Sequence, residues 1–231
     1  MNKVKLKTEY ISVNEGNRIS IGGNQEYFKN YPGFFSKYKY GNGCGIVALG
    51  DTLLYLKGCD GDVLHSRGVS YGKTFDSIAS YRSFFDEIVH LTHWIPTRFG
   101  VTNILLTVWF NMICKSQKID RWAYWGCSRK HLYGRVARML KEDIPVILCI
   151  PYVLNPKRKK TALLTMYGIG TKNQRVNSHF VTVIGLTAHD DKRFYKVSSW
   201  GKCYEIDVDE YDEFMKSLLF GNMLGNALIV H

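Results

Sequence analysis

Apolar positions recur along this chain in two rhythms. Residues 1–41 are polar, aromatic and rich in glycine, with no sustained period, and read as extended segments and loops. Beyond them, Ile46, Leu49, Leu53 and Leu56 recur at helical spacing. That spacing predicts a buried helix from Cys44 to about Lys57, entered through the turn signal Gly41-Asn42-Gly43-Cys44-Gly45. A second helix is predicted over residues 74–93, with Ile78, Tyr81, Phe85, Ile88 and Leu91 as its apolar stripe and Pro96 beyond its end. Thr102 and Asn103 can cap a third helix running to Cys114, and Ser128 a fourth over residues 129–142.

From residue 144 the rhythm shortens. Apolar and β-branched runs at residues 145–151, 161–167, 179–185, 194–198 and 202–206 predict strands, with His189-Asp190-Asp191-Lys192 as a hairpin turn. A short helix over residues 208–218 and a closing strand at residues 227–230 complete the chain. The expected fold class is therefore α+β. A mainly helical lobe to about residue 143 precedes a mainly antiparallel β lobe, and the Cys44 helix is expected to pack centrally against that sheet. The 231 residues fit one domain, and no internal repeat or linker divides them.

Composition narrows the class. With 45% apolar, 14% aromatic and 22% charged residues, the chain has the make-up of a globular domain, and a disordered chain would carry fewer aromatics. No apolar run reaches the roughly 18 residues of a membrane span, and the N-terminus lacks the apolar core of a signal peptide. A cytoplasmic location is expected, with export by a route other than a cleaved signal left open. Cys44, Cys59, Cys114, Cys127, Cys149 and Cys203 are scattered without a C-x-x-C pair, so zinc-ribbon spacing is absent and reduced thiols are expected. His90 and His93 stand three apart on the second helix, but no carboxylate or cysteine of suitable spacing joins them. Neither a metal nor a cofactor is expected.

The chemistry gathers at Cys44 and His179. A helix N-terminus favours a thiolate, and Gly43 and Gly45 leave room for a substrate beside the sulfur. An imidazole from a strand start, His179, can take the thiol proton and return it to a leaving group.

Cys44-Gly45 opening a helix, His179 opening a strand and Ser198-Ser199-Trp200-Gly201 ending the next strand together resemble the papain-like cysteine peptidase superfamily. The segments Asn42-Gly43-Cys44-Gly45 and His179-Phe180-Val181-Thr182-Val183-Ile184-Gly185 are most similar to its bacterial branch that trims double-glycine leader peptides. The resemblance covers about residues 40–207. It implies a papain-like fold, Cys44 as nucleophile, His179 as general base and acid, and a peptide or protein substrate.

Two positions depart from the family pattern. Tyr38 stands where the oxyanion-hole glutamine precedes the nucleophile, which leaves Asn42 and backbone N–H groups as donors. Ser198 stands where an asparagine orients the histidine, followed by Ser199 and the shielding Trp200. These departures keep open an acyltransferase or transglutaminase-like activity on the same fold.

The net charge of +11 is uneven. Lys157, Arg158, Lys159, Lys160, Lys172 and Arg175 precede His179 with no acid among them, while Glu205, Asp207, Asp209, Glu210, Asp212 and Glu213 follow the Trp-Gly pair. The basic run can attract an acidic substrate, or make the chain a non-catalytic binding module. Nucleic acid is not the expected partner, because no zinc knuckle, helix-turn-helix or RNP-type strand accompanies the charge. Oligomeric state is not encoded in these patterns.

Overall fold

The structure is a computed structural model that describes residues 4–32, 36–59, 61–94, 100–126, 128, 130–151, 154–155, 160–161, 163–217 and 226–231. The expectations placed on Pro96, Cys127, Arg129, Lys157, Arg158, Lys159 and Leu218 lie outside these residues. In chain order come β1 (Val4–Lys5), β2 (Ser12–Asn14), β3 (Ile19–Ile21), a 3₁₀ turn (Gln25–Phe28), α1 (Ser36–Asn42) and α2 (Cys44–Cys59). Next are β4 (Leu64–Ser66), β5 (Val69–Tyr71), β6 (Thr74–Phe75), α3 (Ile78–Thr92), α4 (Asn103–Ser116), β7 (Ala123–Trp125) and α5 (Leu132–Lys141). The rest is β8 (Val146–Ile150), β9 (Leu154–Asn155), β10 (Lys160–Thr161), β11 (Leu164–Gly168), β12 (Gln174–Val176), β13 (His179–His189), β14 (Lys192–Ser199), β15 (Lys202–Asp207), α6 (Val208–Lys216) and β16 (Leu228–Val230).

The fold class is α+β, as expected, and the chain divides into two compact units. The helical unit takes the described parts of residues 8–123 with 199–201 and 231; the sheet unit takes those of 1–7, 124–198 and 202–230. The division falls about twenty residues before the expected change of rhythm. The reason is α5, which packs on β1, β8, β13 and β16 and so belongs with the strands.

In the helical unit, α2, α3 and α4 pack against one another. The Cys44 helix is enclosed on every side: Ile46, Leu49, Leu53 and Leu56 are buried as their spacing requires, but so are Asp51, Thr52, Tyr55 and Lys57. Truncating Leu49 to Ala is expected to cost about 2–5 kcal/mol. The second helix starts later than expected. Thr74 and Phe75 form β6, paired parallel with β2, and Ser77 then caps α3 through a reciprocal box with Ser80. Thr102 caps α4 as expected, its hydroxyl accepting the Leu105 N–H at 3.3 Å. The hairpin β4–β5 turns at Arg67 and Gly68, both left-handed, and Glu87 of α3 accepts hydrogen bonds from Ser66 and Arg67.

α1 is a correction to the reading of residues 1–41. Its sequence, SKYKYGN, has no apolar period, and only Ser36 is buried. Tertiary ties hold it instead. Gln25 Nε2 donates to the Tyr40 carbonyl at 2.9 Å, and Lys39 pairs with Asp86 of α3 at 2.6 Å. The fourth helix is corrected too: α5 begins after His131, which is left-handed and makes no side-chain cap, whereas Ser128 closes a local turn by accepting the Lys130 N–H.

The sheet unit is built around β13, whose pairings among the described residues are all antiparallel. One edge of β13 carries β14. The other is shared, β8 lying along residues 179–183 and β1 along 185–186, with a bulge between Val183 and Gly185 where the partner changes. The order continues through β15, β11 and β12. Asp190 and Asp191 are both left-handed, as a type I′ turn requires, and they join β13 to β14 at the expected hairpin. Asp207 caps α6, accepting the N–H groups of Asp209 and Glu210.

Candidate active site

Cys44 opens α2 and is half-buried, with a thiol side chain. The expected open turn before it is absent. Gly41 and Asn42 are the last residues of α1, the Gly43 N–H donates to the Lys39 carbonyl at 3.0 Å, and the Gly43 carbonyl accepts the Val47 N–H at 2.9 Å. Two helices thus meet at Gly43 with helix-type hydrogen bonds across the junction. Only glycine fits there, since a Cβ would stand 2.3 Å from the Lys39 carbonyl oxygen and 3.2 Å from the Phe85 ring. Asn42, expected in a turn, is half-buried at the end of α1, with the left-handed Gly100 lying against it.

Gln25 was invisible in the sequence. It lies in a stretch without a period, yet it is buried and its amide reaches the Tyr40 carbonyl, one turn before Cys44. The amide group has two N–H bonds, so one remains after that contact. Gln25 belongs to a strap that runs from Ile21 to Phe28. The Asn24 side chain caps the 3₁₀ turn by accepting the Glu26 N–H at 2.8 Å. Gly23 donates its N–H to Asp51 Oδ2 at 2.7 Å, and Tyr81 donates its hydroxyl to Asp51 Oδ1 at 2.7 Å. Asp51 is fully enclosed within α2, two turns below Cys44. Burial pushes its carboxyl up to about 7, against the pull of the two donors.

The same strap grips the Ser199-Trp200-Gly201 segment. Gly201 donates to the Gly23 carbonyl at 3.1 Å and accepts the Ile21 N–H at 3.0 Å. Trp200 and Gly201 are both left-handed, the backbone pattern of a type I′ turn between β14 and β15. Gly201 is doubly constrained: its φ is +67° and a Cβ would meet Ser20 at 2.8 Å. A bulky residue at the left-handed Trp200 costs about 1–3 kcal/mol, which the surrounding hydrogen bonds must offset. Beneath the turn, Tyr27 donates to Glu15 at 2.7 Å and Ser20 lies 2.8 Å from the Tyr27 hydroxyl.

His179 opens β13 in the sheet unit, where it is buried and pairs in register with Ile150 of β8. Burial lowers its pKa to about 3, so the imidazole is neutral at neutral pH. The register revises the part expected of Ser198. It lies opposite Thr182, three residues along β13 from His179. Because strand side chains alternate, Ser198 shares a face with Thr182 while His179 turns to the other. Ser199, next in β14, turns to the side of Val197. Cys44, Asn42, Gln25, Ser199 and Trp200 fall in the helical unit, and His179 and Ser198 in the sheet unit.

The acidic segment is largely spent on structure. Glu205 accepts from Thr187 and His189, Asp207 pairs with Lys192 at 2.9 Å, and Glu210 accepts the Tyr167 hydroxyl. Of the basic run, Lys172 and Arg175 are exposed. His90 and His93 have ring centroids 6.0 Å apart. Among the described residues, no group of three potential ligands gathers for a metal, and no helix is long and apolar enough to cross a membrane. No family model matches the chain, and neither curated proteins nor solved structures give a match.

Proposed function

We propose that this chain is a thiol-dependent hydrolase of papain-like type, a cysteine peptidase acting on a peptide or protein substrate. The observation that carries the reading is the Cys44 junction. A half-buried thiol opens an enclosed helix directly after Gly43, which is buried against the Lys39 carbonyl and the Phe85 ring, and the Gln25 amide binds the Tyr40 carbonyl four residues before the thiol in sequence. The reading assigns the base to His179, at a strand start in the sheet unit, where burial keeps the imidazole neutral and weakens it as a proton acceptor.

In this reading Cys44 transfers its proton to the neutral His179, and the thiolate attacks the substrate carbonyl. The amine leaves with the proton from the imidazolium. Water then gives a proton to His179, attacks the thioester and releases the acid, restoring the thiol. A thiolate favours the imidazolium that burial alone disfavours. The oxyanion is held by backbone N–H groups and by a side-chain amide, with Gln25 joining Asn42 as a donor. Trp200 shields the site from water, and Ser198 is given no part at the imidazole.

The test is labelling by a thiol-directed peptide electrophile at neutral pH, mapped by mass spectrometry. Cys44 should be modified ahead of the exposed Cys59, and Cys44→Ala should lose that adduct while keeping any at Cys59. Equal labelling of the two proteins would sink the assignment. Adding a primary amine to a substrate digest separates hydrolysis from acyl transfer, since transfer yields an amide in place of the acid.

A further inference from the structure

We infer that Asp51 is a positioning residue: it ties the strap carrying Gln25, and through that strap the Trp200-Gly201 turn, to the helix that carries Cys44. The inference rests on the hydrolase reading for its chemical consequence, but its structural half stands without it.

The hydrogen bonds form a continuous path. Gly201 N–H reaches the Gly23 carbonyl, Gly23 N–H reaches Asp51 Oδ2, and Asp51 belongs to α2. Two residues beyond Gly23, the Gln25 amide reaches the Tyr40 carbonyl in α1, the helix that leads into α2. The strap is therefore fastened to the α1–α2 pair at two places, by Asp51 below Cys44 and by Tyr40 before it. Asp51 is the fastening that the backbone cannot supply. A central helix has used its own carbonyls internally, so a buried loop N–H such as that of Gly23 needs a side-chain acceptor.

Other features of the site agree with this role. A Cβ on Gly23 would lie 1.7 Å from the Tyr81 hydroxyl, so the strap passes directly over the Tyr81–Asp51 hydrogen bond. Tyr81 is itself fully buried and fixes the second carboxyl oxygen. No lysine or arginine is hydrogen-bonded or ion-paired with Asp51 in any interaction described for it. An acid placed inside a buried helix is costly. Two directional acceptors at one point are what this one provides, and a hydrocarbon of the same size supplies neither.

Asparagine can reproduce the geometry: its oxygen accepts from Gly23, and its NH₂ donates to a Tyr81 hydroxyl turned to accept. Alanine can do neither. Two probes separate positioning from general damage. Acylation by p-nitrophenyl acetate forms a thioester, expels p-nitrophenolate and develops an oxyanion; alkylation by iodoacetamide displaces iodide and develops none. Both are followed at Cys44 in the full chain, wild type, Asp51→Asn and Asp51→Ala, with Ile113→Ala as a control destabilised elsewhere in the helical unit. Amide exchange at Gly23 and Gly201 is measured alongside.

For Asp51→Ala the ratio of acylation to alkylation should fall about ten- to hundredfold, the scale for displacing a positioned group by about 1 Å. Asp51→Asn should stay within about twofold of wild type, and Ile113→Ala should leave the ratio unchanged. Exchange at Gly23 and Gly201 should quicken in Asp51→Ala beyond its change in Ile113→Ala. Unchanged exchange there overturns the tie, and an unchanged ratio, or an equal fall in Ile113→Ala, overturns the positioning role. A wild-type Cys44 inert to both probes overturns the hydrolase reading, while exchange still decides the tie.

Discussion

The helical unit and the sheet unit bury ionisable groups in opposite ways. In the first, Asp51 is enclosed with two directed donors, and Gly23 beside it is so tightly placed that a single methyl would collide with the Tyr81 hydroxyl. In the second, His179 lies on a five-residue register with β8, beside Ile150, Phe180 and Val181, and burial lowers its pKa. The carboxyl holds its proton up to about 7, whereas the imidazole refuses one down to about 3. The contrast shows that burial favours the neutral form of acid and base alike. A polar network therefore leaves its mark in geometry more than in charge.

The sharpest way to break this contrast is at Gly23. Gly23→Ala drives a methyl into the Tyr81 hydroxyl, and a loss of about 3 kcal/mol or more is expected in urea unfolding, at or above the usual range for overpacking. A loss below about 1 kcal/mol would show that the strap yields and that the network is looser than its distances imply. The corresponding polar fixture in the sheet unit is Asp207, whose carboxylate caps α6 and pairs with Lys192. Burial would raise its pKa, but Lys192 and the two backbone N–H groups outweigh that and hold it low. Asp207→Ala should cost about 1–2 kcal/mol in the same assay, less than Gly23→Ala because water can replace a cap but cannot relieve a collision.

The pH dependence of stability sharpens the comparison further. Between 3.8 and about 7, unfolded Asp51 is ionised while the folded group keeps its proton. The folded state binds more protons there, so this contribution is full below 3.8 and is lost as pH rises through about 7. Between about 3 and 6.5, unfolded His179 is protonated while the folded imidazole is neutral. That contribution is present above 6.5 and is lost as pH falls through about 3. Unfolding free energies measured from pH 4 to 8 should rise less steeply with pH in His179→Gln than in wild type, and should gain an upward tilt in Asp51→Asn. Parallel curves for all three proteins would contradict both assignments. The smallest effect belongs to Lys39→Ala. The pair with Asp86 is partly exposed, so a change within about 1 kcal/mol is expected, read out as a small shift in the urea midpoint.

The strongly periodic elements were legible in the amino-acid order. Ile46, Leu49, Leu53 and Leu56 announce α2 because a buried helix needs that spacing, and β13 to β15 follow from β-branched runs punctuated by Asp190-Asp191. α1 was not legible, since its stability comes from Gln25 and Asp86, residues distant in sequence. The Thr74-Phe75 boundary was missed for a similar reason: a parallel pairing with β2 outweighed helical continuation. At the candidate site, Cys44 and His179 stood out by residue type and position. Gln25 carried no local signal. Asp51 carried one that went unused, an acid within the apolar run from Ile46 to Leu56. Ser198 shows the opposite hazard, because a short motif fixes residue types but leaves the count of residues around the hairpin free, and it is that count which sets the facing partner.

The shared edge of β13 bears on how the chain is made. Val4 pairs with Leu186, far along the chain, whereas most of the helical unit is contiguous over residues 8–123. As the chain leaves the ribosome, the helices can condense while β1 waits, unpaired, until Gly185 and Leu186 have been synthesised. The Trp200-Gly201 turn must also be in place before the strap can close on it. Assembly is thus expected to finish late and slowly, limited by closing its longest loops. During that interval the exposed edge of β1 is the segment most in need of protection from other chains.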